Sequence, residues 1–116
     1  GISNQSLEEA LDLETGDLRK WYMHNTSHWI GLDVHDVGIY KPNGEPRLLE
    51  EGMCLTIEPG LYFGAWRPDV NCPERYANLG IRIEDDVLVT SGEPDVLTSA
   101  CPKTIEEIES ITGKSF

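Results

Sequence analysis

The sequence predicts an α+β fold, a curved antiparallel sheet with helices packed on one face. Three observations predict it. Capping boxes stand near both ends, at Ser6-Leu7-Glu8-Glu9 and Thr104-Ile105-Glu106-Glu107. Two segments alternate in the two-residue period of a strand, one over 53–58 and one over 80–89. Turn chemistry rich in Pro, Gly and Asn separates these segments, and no internal repeat is present.

Taken in order, Leu7, Ala10, Leu11 and Leu18 offer an apolar stripe after the first capping box, with Gly16 as a stop. This predicts a helix of about three turns. In the next stretch Thr26, Trp29, Ile30 and Val34 favour extended backbone. Pro42, Asn43, Gly44 and Pro46 predict an exposed loop over 40–51. A strand then starts after Gly52. Met53, Leu55 and Ile57 share one face, and Cys54, Thr56 and Glu58 share the other, so Glu58 points away from the bulkiest apolar side chains. Pro59 ends the strand or places it at an edge. Residues 64–78, with Trp66, Pro68, Asp69, Asn71, Pro73 and Glu74, read as a long excursion without period. The second strand puts Ile81, Ile83, Val87 and Val89 on one parity and Arg82, Glu84, Asp86 and Leu88 on the other. Ser91 to Pro94 reads as a turn. Ile105, Ile108 and Ile111 then line one helix face, with Gly113 as its stop.

A length of 116 residues suits one domain, and 39% hydrophobic content predicts a substantial core. Twenty-one acidic against nine basic residues give a net charge of −12, which argues against nucleic acid and anionic membranes as partners. No apolar run is long enough to span a bilayer and no secretory signal pattern opens the chain, so a cytoplasmic setting is the default. Cys54, Cys72 and Cys101 are widely spaced and odd in number, which predicts neither a disulfide framework nor a zinc knuckle.

All three histidines, His24, His28 and His35, fall within fourteen residues. Imidazole suits metal ligation and proton transfer near neutral pH. A spacing of four puts His24 and His28 on one side in either a helix or a strand. His35 has the other parity, follows Gly31, and is expected to arrive from a bend. Taken singly, each residue has a plain structural explanation. Glu84 could pair with Arg82 on its own face, and His24 could be a satisfied hydrogen-bonding residue. His35 could be a loop histidine, and Tyr62 either core or a hydroxyl donor. Asp33 and Asp36 read as turn and support, and Asp85 and Asp86 as a solvated strand end. Taken together, His28, Glu58 and Glu84 make a mixed imidazole–carboxylate set that suits Mn²⁺, Zn²⁺, Co²⁺ or Fe²⁺. Carboxylates can also bridge a metal pair about 3.5–4 Å apart.

Three motifs in order then carry a resemblance. They are the run from His24 through His28, Trp29 and His35 to Gly38, the run Leu55-Thr56-Ile57-Glu58-Pro59-Gly60-Leu61-Tyr62, and the run Gly80-Ile81-Arg82-Ile83-Glu84-Asp85-Asp86. The chain resembles the C-terminal part of the catalytic domain of Xaa-Pro aminopeptidase (aminopeptidase P), a pita-bread metallopeptidase, over nearly its whole length. Ser27-His28-Trp29 and Pro73-Glu74-Arg75-Tyr76 resemble aminopeptidase P more than prolidase. The resemblance implies a partial pita-bread fold and removal of an N-terminal residue from peptides with proline second. It implies a dinuclear divalent centre, usually Mn²⁺, with His28 and Glu58 as ligands of one metal and Glu84 bridging both. His24 and His35 would be the catalytic histidines, with Arg82 and Tyr62 in support. Peptide substrates and a homo-oligomeric full-length enzyme are also implied. The family takes two further aspartate ligands from an upstream strand hairpin, and nothing before His24 resembles it; Asp12 and Asp17 sit in the helical opening. The chain also opens at Gly1 without an initiator Met. The N-terminal domain and first half of the catalytic domain are therefore expected to be absent, with weak metal binding and little or no activity in the chain alone. Two other functions fit the same pattern: an Xaa-Pro dipeptidase (prolidase), and a non-catalytic pita-bread module that binds peptides or proteins.

Overall fold

The structure is a computed structural model that describes residues 3–12, 14–64, 67 and 70–114. Trp66, Pro68 and Asp69 of the expected excursion lie outside the described residues. The chain divides into two compact units, Gly1–Thr26 with Pro59–Arg82, and Ser27–Glu58 with Ile83–Phe116.

The first unit contains helix α1 (Leu7–Ala10) and a two-stranded antiparallel sheet of β2 (Gly60–Phe63) and β3 (Leu79–Arg82). The capping box forms as expected: the Ser6 hydroxyl accepts from the Glu9 N–H, and the Glu9 carboxylate accepts from the Ser6 N–H at 2.8 Å. The helix nevertheless stops at Ala10 instead of running three turns. Asp12 is the cause. Its carboxylate accepts from the N–H groups of Thr15 (2.7 Å) and Glu14 (3.0 Å), a local turn that competes with helical bonding. Gly16 is not a helix stop. The chain there folds back so closely that a Cβ would lie 2.3 Å from the Ala10 carbonyl oxygen. Trp21 is buried; its ring packs on Phe63 at 5.1 Å, and its carbonyl accepts from the Tyr62 N–H.

The second unit holds a three-stranded antiparallel sheet in the order β1 (Cys54–Ile57), β4 (Asp85–Leu88), β5 (Asp95–Val96). The segment around Trp29 approaches β1 through a single bridge, Trp29 to Leu55, flanked by Thr56 N–H to the His28 carbonyl. Residues 40–51 form the expected exposed loop, with Asn43 (φ 55°) and Gly44 (φ 86°) making its left-handed turn. Helix α2 (Ile105–Ile111) forms with its complete Thr104–Glu107 capping box and Gly113 at φ 76° beyond its end.

Three expectations change. The single strand over 80–89 is two strands, because Ile83 and Glu84 leave the ladder between β3 and β4. The registers Ile57–Asp85 and Gly60–Arg82 leave Glu58 and Pro59 out of the ladders as well. Proline cannot donate a ladder hydrogen bond, so pairing stops where the two glutamates stand. Second, the strand parity of β1 is as expected, but its buried face is the polar one. Thr56 is 0% and Glu58 5% exposed, while Ile57 is 45% exposed. Third, the core is small: among the described residues, Trp21 and Val87 are the only buried apolar side chains. The apolar stripe of α2 is exposed along its length.

Candidate metal centre and its neighbours

In the second unit, His28, Glu58 and Glu84 each offer a ligand atom, and these atoms all lie within 4.8 Å of one another. Each arrives by a different route. His28 precedes the Trp29 bridge, Glu58 follows β1 just before Pro59, and Glu84 precedes β4. Glu84 is exposed and outside any strand, whereas Glu58 is buried.

Thr56 ties two of the three together. Its hydroxyl accepts from the His28 N–H at 3.0 Å and donates to Glu58 Oε1 at 3.0 Å. The sequence placed Thr56 on the face of Glu58 but gave it no role; the two-residue spacing was the available signal.

The orientation of His28 tests whether a cation fits. Its Nδ1 lies 3.0 Å from the Trp29 carbonyl, which can only accept, so Nδ1 carries the proton. Nε2 then faces Glu58 Oε1, 3.0 Å away. An imidazole nitrogen and a carboxylate oxygen at that distance share a positive charge, a proton or a metal ion. A ring N–H held by a carbonyl, with the other nitrogen directed at carboxylates, is the usual arrangement of a metal-binding histidine. The residues therefore fit a divalent metal.

His35 arrives from the bend after Gly31, as expected. Its ring meets that of His28 edge-on at 4.4 Å between centroids. Asp36 holds this turn by accepting from Leu32 N–H (3.0 Å) and Val37 N–H (2.7 Å). Asp85 is not a solvated strand end. It accepts from the Thr98 hydroxyl at 2.6 Å and pairs with Lys103 at 3.1 Å. The Thr98 bond, with help from Lys103, lowers its pKa from the ordinary aspartate value.

The first unit holds His24, Tyr62 and Arg82. No helix or strand runs through 24–28, so the period that would give His24 and His28 a common face is absent. His24 Nδ1 lies 2.7 Å from the Asn25 carbonyl, which fixes the proton on Nδ1. Tyr62 therefore donates its hydroxyl to His24 Nε2 at 2.8 Å, and Arg82 Nε donates to the same hydroxyl oxygen at 2.7 Å. The bonds run one way, from Arg82 through Tyr62 to His24. A cavity of about 230 Å³ adjoins His24, lined by Leu11, Leu18, Arg19 and Tyr22 among others.

A cluster of imidazoles and carboxylates beside strand ends on this architecture has known counterparts. Residues 2–91 match the model of metallopeptidase family M24, and the chain belongs to that family. A divalent metal is the cofactor that membership implies. The chain is 50% identical over 93 residues to an Xaa-Pro aminopeptidase of Escherichia coli, covering 80% of this chain and 20% of the relative. It is 42% identical over 97 residues to human Xaa-Pro aminopeptidase 3, covering 84% of this chain and 18% of the relative. Among solved structures, aminopeptidase PepP of Pseudomonas aeruginosa matches with a TM-score of 0.82 at 43% identity, over 95% of this chain and 24% of that one. Escherichia coli aminopeptidase P with the inhibitor Pro-Leu matches with a TM-score of 0.80 at 45% identity and the same coverage. The fold is thus part of the pita-bread fold, and the chain spans about a fifth of the length of the curated relatives it matches.

Proposed function

We propose that this chain forms the part of an Xaa-Pro aminopeptidase catalytic domain that supplies His28, Glu58 and Glu84 to a dinuclear divalent centre. The observation that carries the reading is the convergence of those three ligand atoms within 4.8 Å, with His28 Nε2 facing the carboxylate. When bound, a divalent metal acts as a Lewis acid toward the scissile carbonyl and lowers the pKa of water. His28 and Glu58 would hold one metal and Glu84 would bridge both. Mn²⁺ is the proposed native ion; a zinc-substituted form of the Escherichia coli enzyme is also among the structural matches.

The protein's own groups supply orientation and proton handling. Thr56 keeps the Glu58 carboxylate turned toward His28, an orientation suited to joint ligation. His35 and His24 are the proposed catalytic imidazoles. His24 enters the reaction with its proton on Nδ1 and an acceptor at Nε2, a state that Tyr62 and Arg82 support. The substrate would be a peptide with proline second, as the relatives' names state for those proteins.

Two measurements test this. Mn²⁺ titration of the 116-residue chain, followed by electron paramagnetic resonance, is expected to give weak binding that Glu58→Gln and His28→Ala each reduce by at least about tenfold. Unchanged binding in both variants would overturn the assignment. A chimaera in which this chain replaces the matching segment of the Escherichia coli relative is expected to cleave Xaa-Pro tripeptides, and Glu58→Gln to abolish it. Cleavage confined to Xaa-Pro dipeptides would point to a prolidase instead. The isolated chain is expected to show little or no hydrolysis.

A further inference from the structure

We infer that Gly60 and Gly80 are positioning residues for His24: together they form the bare floor on which the Tyr62 ring lies, and so set where its hydroxyl meets the imidazole. The inference rests on the proposed role of His24 for its functional meaning, but not for its geometry.

In the β2–β3 ladder Tyr62 is paired directly with Gly80. Gly60 lies two residues before Tyr62 on the same strand, and therefore on the same face. A Cβ at Gly60 would lie 2.5 Å from the Tyr62 hydroxyl oxygen, 2.8 Å from Cζ and 3.0 Å from Cε2. A Cβ at Gly80 would lie 3.1 Å from Cδ1 of the same ring. The phenol thus crosses both glycines, with its polar end over Gly60.

Backbone conformation does not explain either glycine. The glycines with positive φ among the described residues are Gly44, Gly52 and Gly113. Glycine also weakens a strand, since it loses more freedom on folding and has no side chain to pack. What the missing Cβ provides at both positions is room for one ring. That ring's hydroxyl is held at 2.8 Å from His24 Nε2 and 2.7 Å from Arg82 Nε, so lifting it off the floor breaks a two-sided hydrogen bond that has no slack.

The test is ¹⁵N spectroscopy of the histidine-labelled full chain, above the pH at which the imidazoles titrate. In the starting protein His24 Nε2 is expected to resonate as a hydrogen-bonded acceptor. Tyr62→Phe moves it toward the unbonded position. Gly60→Ala is expected to move it most of the same way, and Gly80→Ala in the same direction by less. Gly60→Ala/Tyr62→Phe should match Tyr62→Phe alone, because both changes remove one bond. An unmoved His24 Nε2 in Gly60→Ala, or a double variant that adds a separate shift, overturns the inference. Near-ultraviolet circular dichroism checks that each variant folds; if Gly60→Ala does not, Gly80→Ala decides by the same signal. Failure of Mn²⁺ binding would overturn the proposed metal centre and leave this result standing.

Discussion

Thr56 is wholly buried and bonded on both sides, to the His28 N–H and to Glu58. Replacing it with valine keeps the shape but leaves a buried N–H and a buried carboxylate oxygen each short of a partner. Thr56→Val is expected to destabilise the chain by about 1–3 kcal/mol, read from urea unfolding. It is also expected to weaken Mn²⁺ binding by about ten- to a hundredfold, with all three proposed ligands intact. Asp85 gives a pH prediction. Its folded pKa lies below its ordinary value, first through Thr98 and then through Lys103. Its contribution to stability is thus present above the unfolded pKa and is lost as pH falls through the folded one. The urea midpoint should fall as the pH is lowered from about 5 to about 2, and Thr98→Val should flatten that dependence. At this scale His28, Glu58 and Glu84, which the fold brings within 4.8 Å of one another, could be picked out by residue type alone. The roles of Thr56 and Asp85 were not, because hydroxyls and aspartates occur everywhere and only their neighbours single them out.

At the scale of elements, the two capping boxes had equal sequence signatures and unequal outcomes. Thr104 starts a helix of seven residues, whereas Ser6 starts one of four. The difference is Asp12, which captures the chain two residues beyond Ala10. Since α2 has no buried residue, its stability depends on local terms. Thr104→Ala is expected to remove about 1 kcal/mol of hydrogen-exchange protection from α2 while leaving the global midpoint nearly unchanged. A global loss would mean that α2 is packed more firmly than its exposure indicates. The alternation over 80–89 read as one strand because Ile83 and Glu84 keep the parity of their neighbours. Nothing in those two residues breaks a strand; Pro59, on the facing arm of the ladders, stands where pairing ends on both.

At the scale of the molecule, charge and core set the stability. A net charge of −12 on a chain of 116 residues produces self-repulsion that salt screens. The thermal midpoint is expected to rise between about 0.01 and 0.3 M NaCl, by differential scanning fluorimetry; a falling midpoint would show that favourable ion pairs such as Lys103–Asp85 outweigh the repulsion. The hydrophobic fraction suggested a larger core than either unit has. Leu61, Leu79 and Ile81 in one unit, and Ile57, Ile105 and Ile108 in the other, remain exposed. Composition counts apolar residues, and burial depends on whether another surface lies against them.

By itself the sequence determined the chemistry available: three histidines in one stretch, two glutamates inside otherwise apolar runs, and the family that combines them. It also determined both helix starts and the parity of β1, because capping and strand alternation are local properties. Tertiary structure alone decided that the polar face of β1 is the buried one, that one alternating run is two strands, and that Gly60 and Gly80 lie beneath Tyr62. These depend on what each segment meets across the fold. A one-dimensional pattern records which side chains share a face, but not which face is covered or what crosses it.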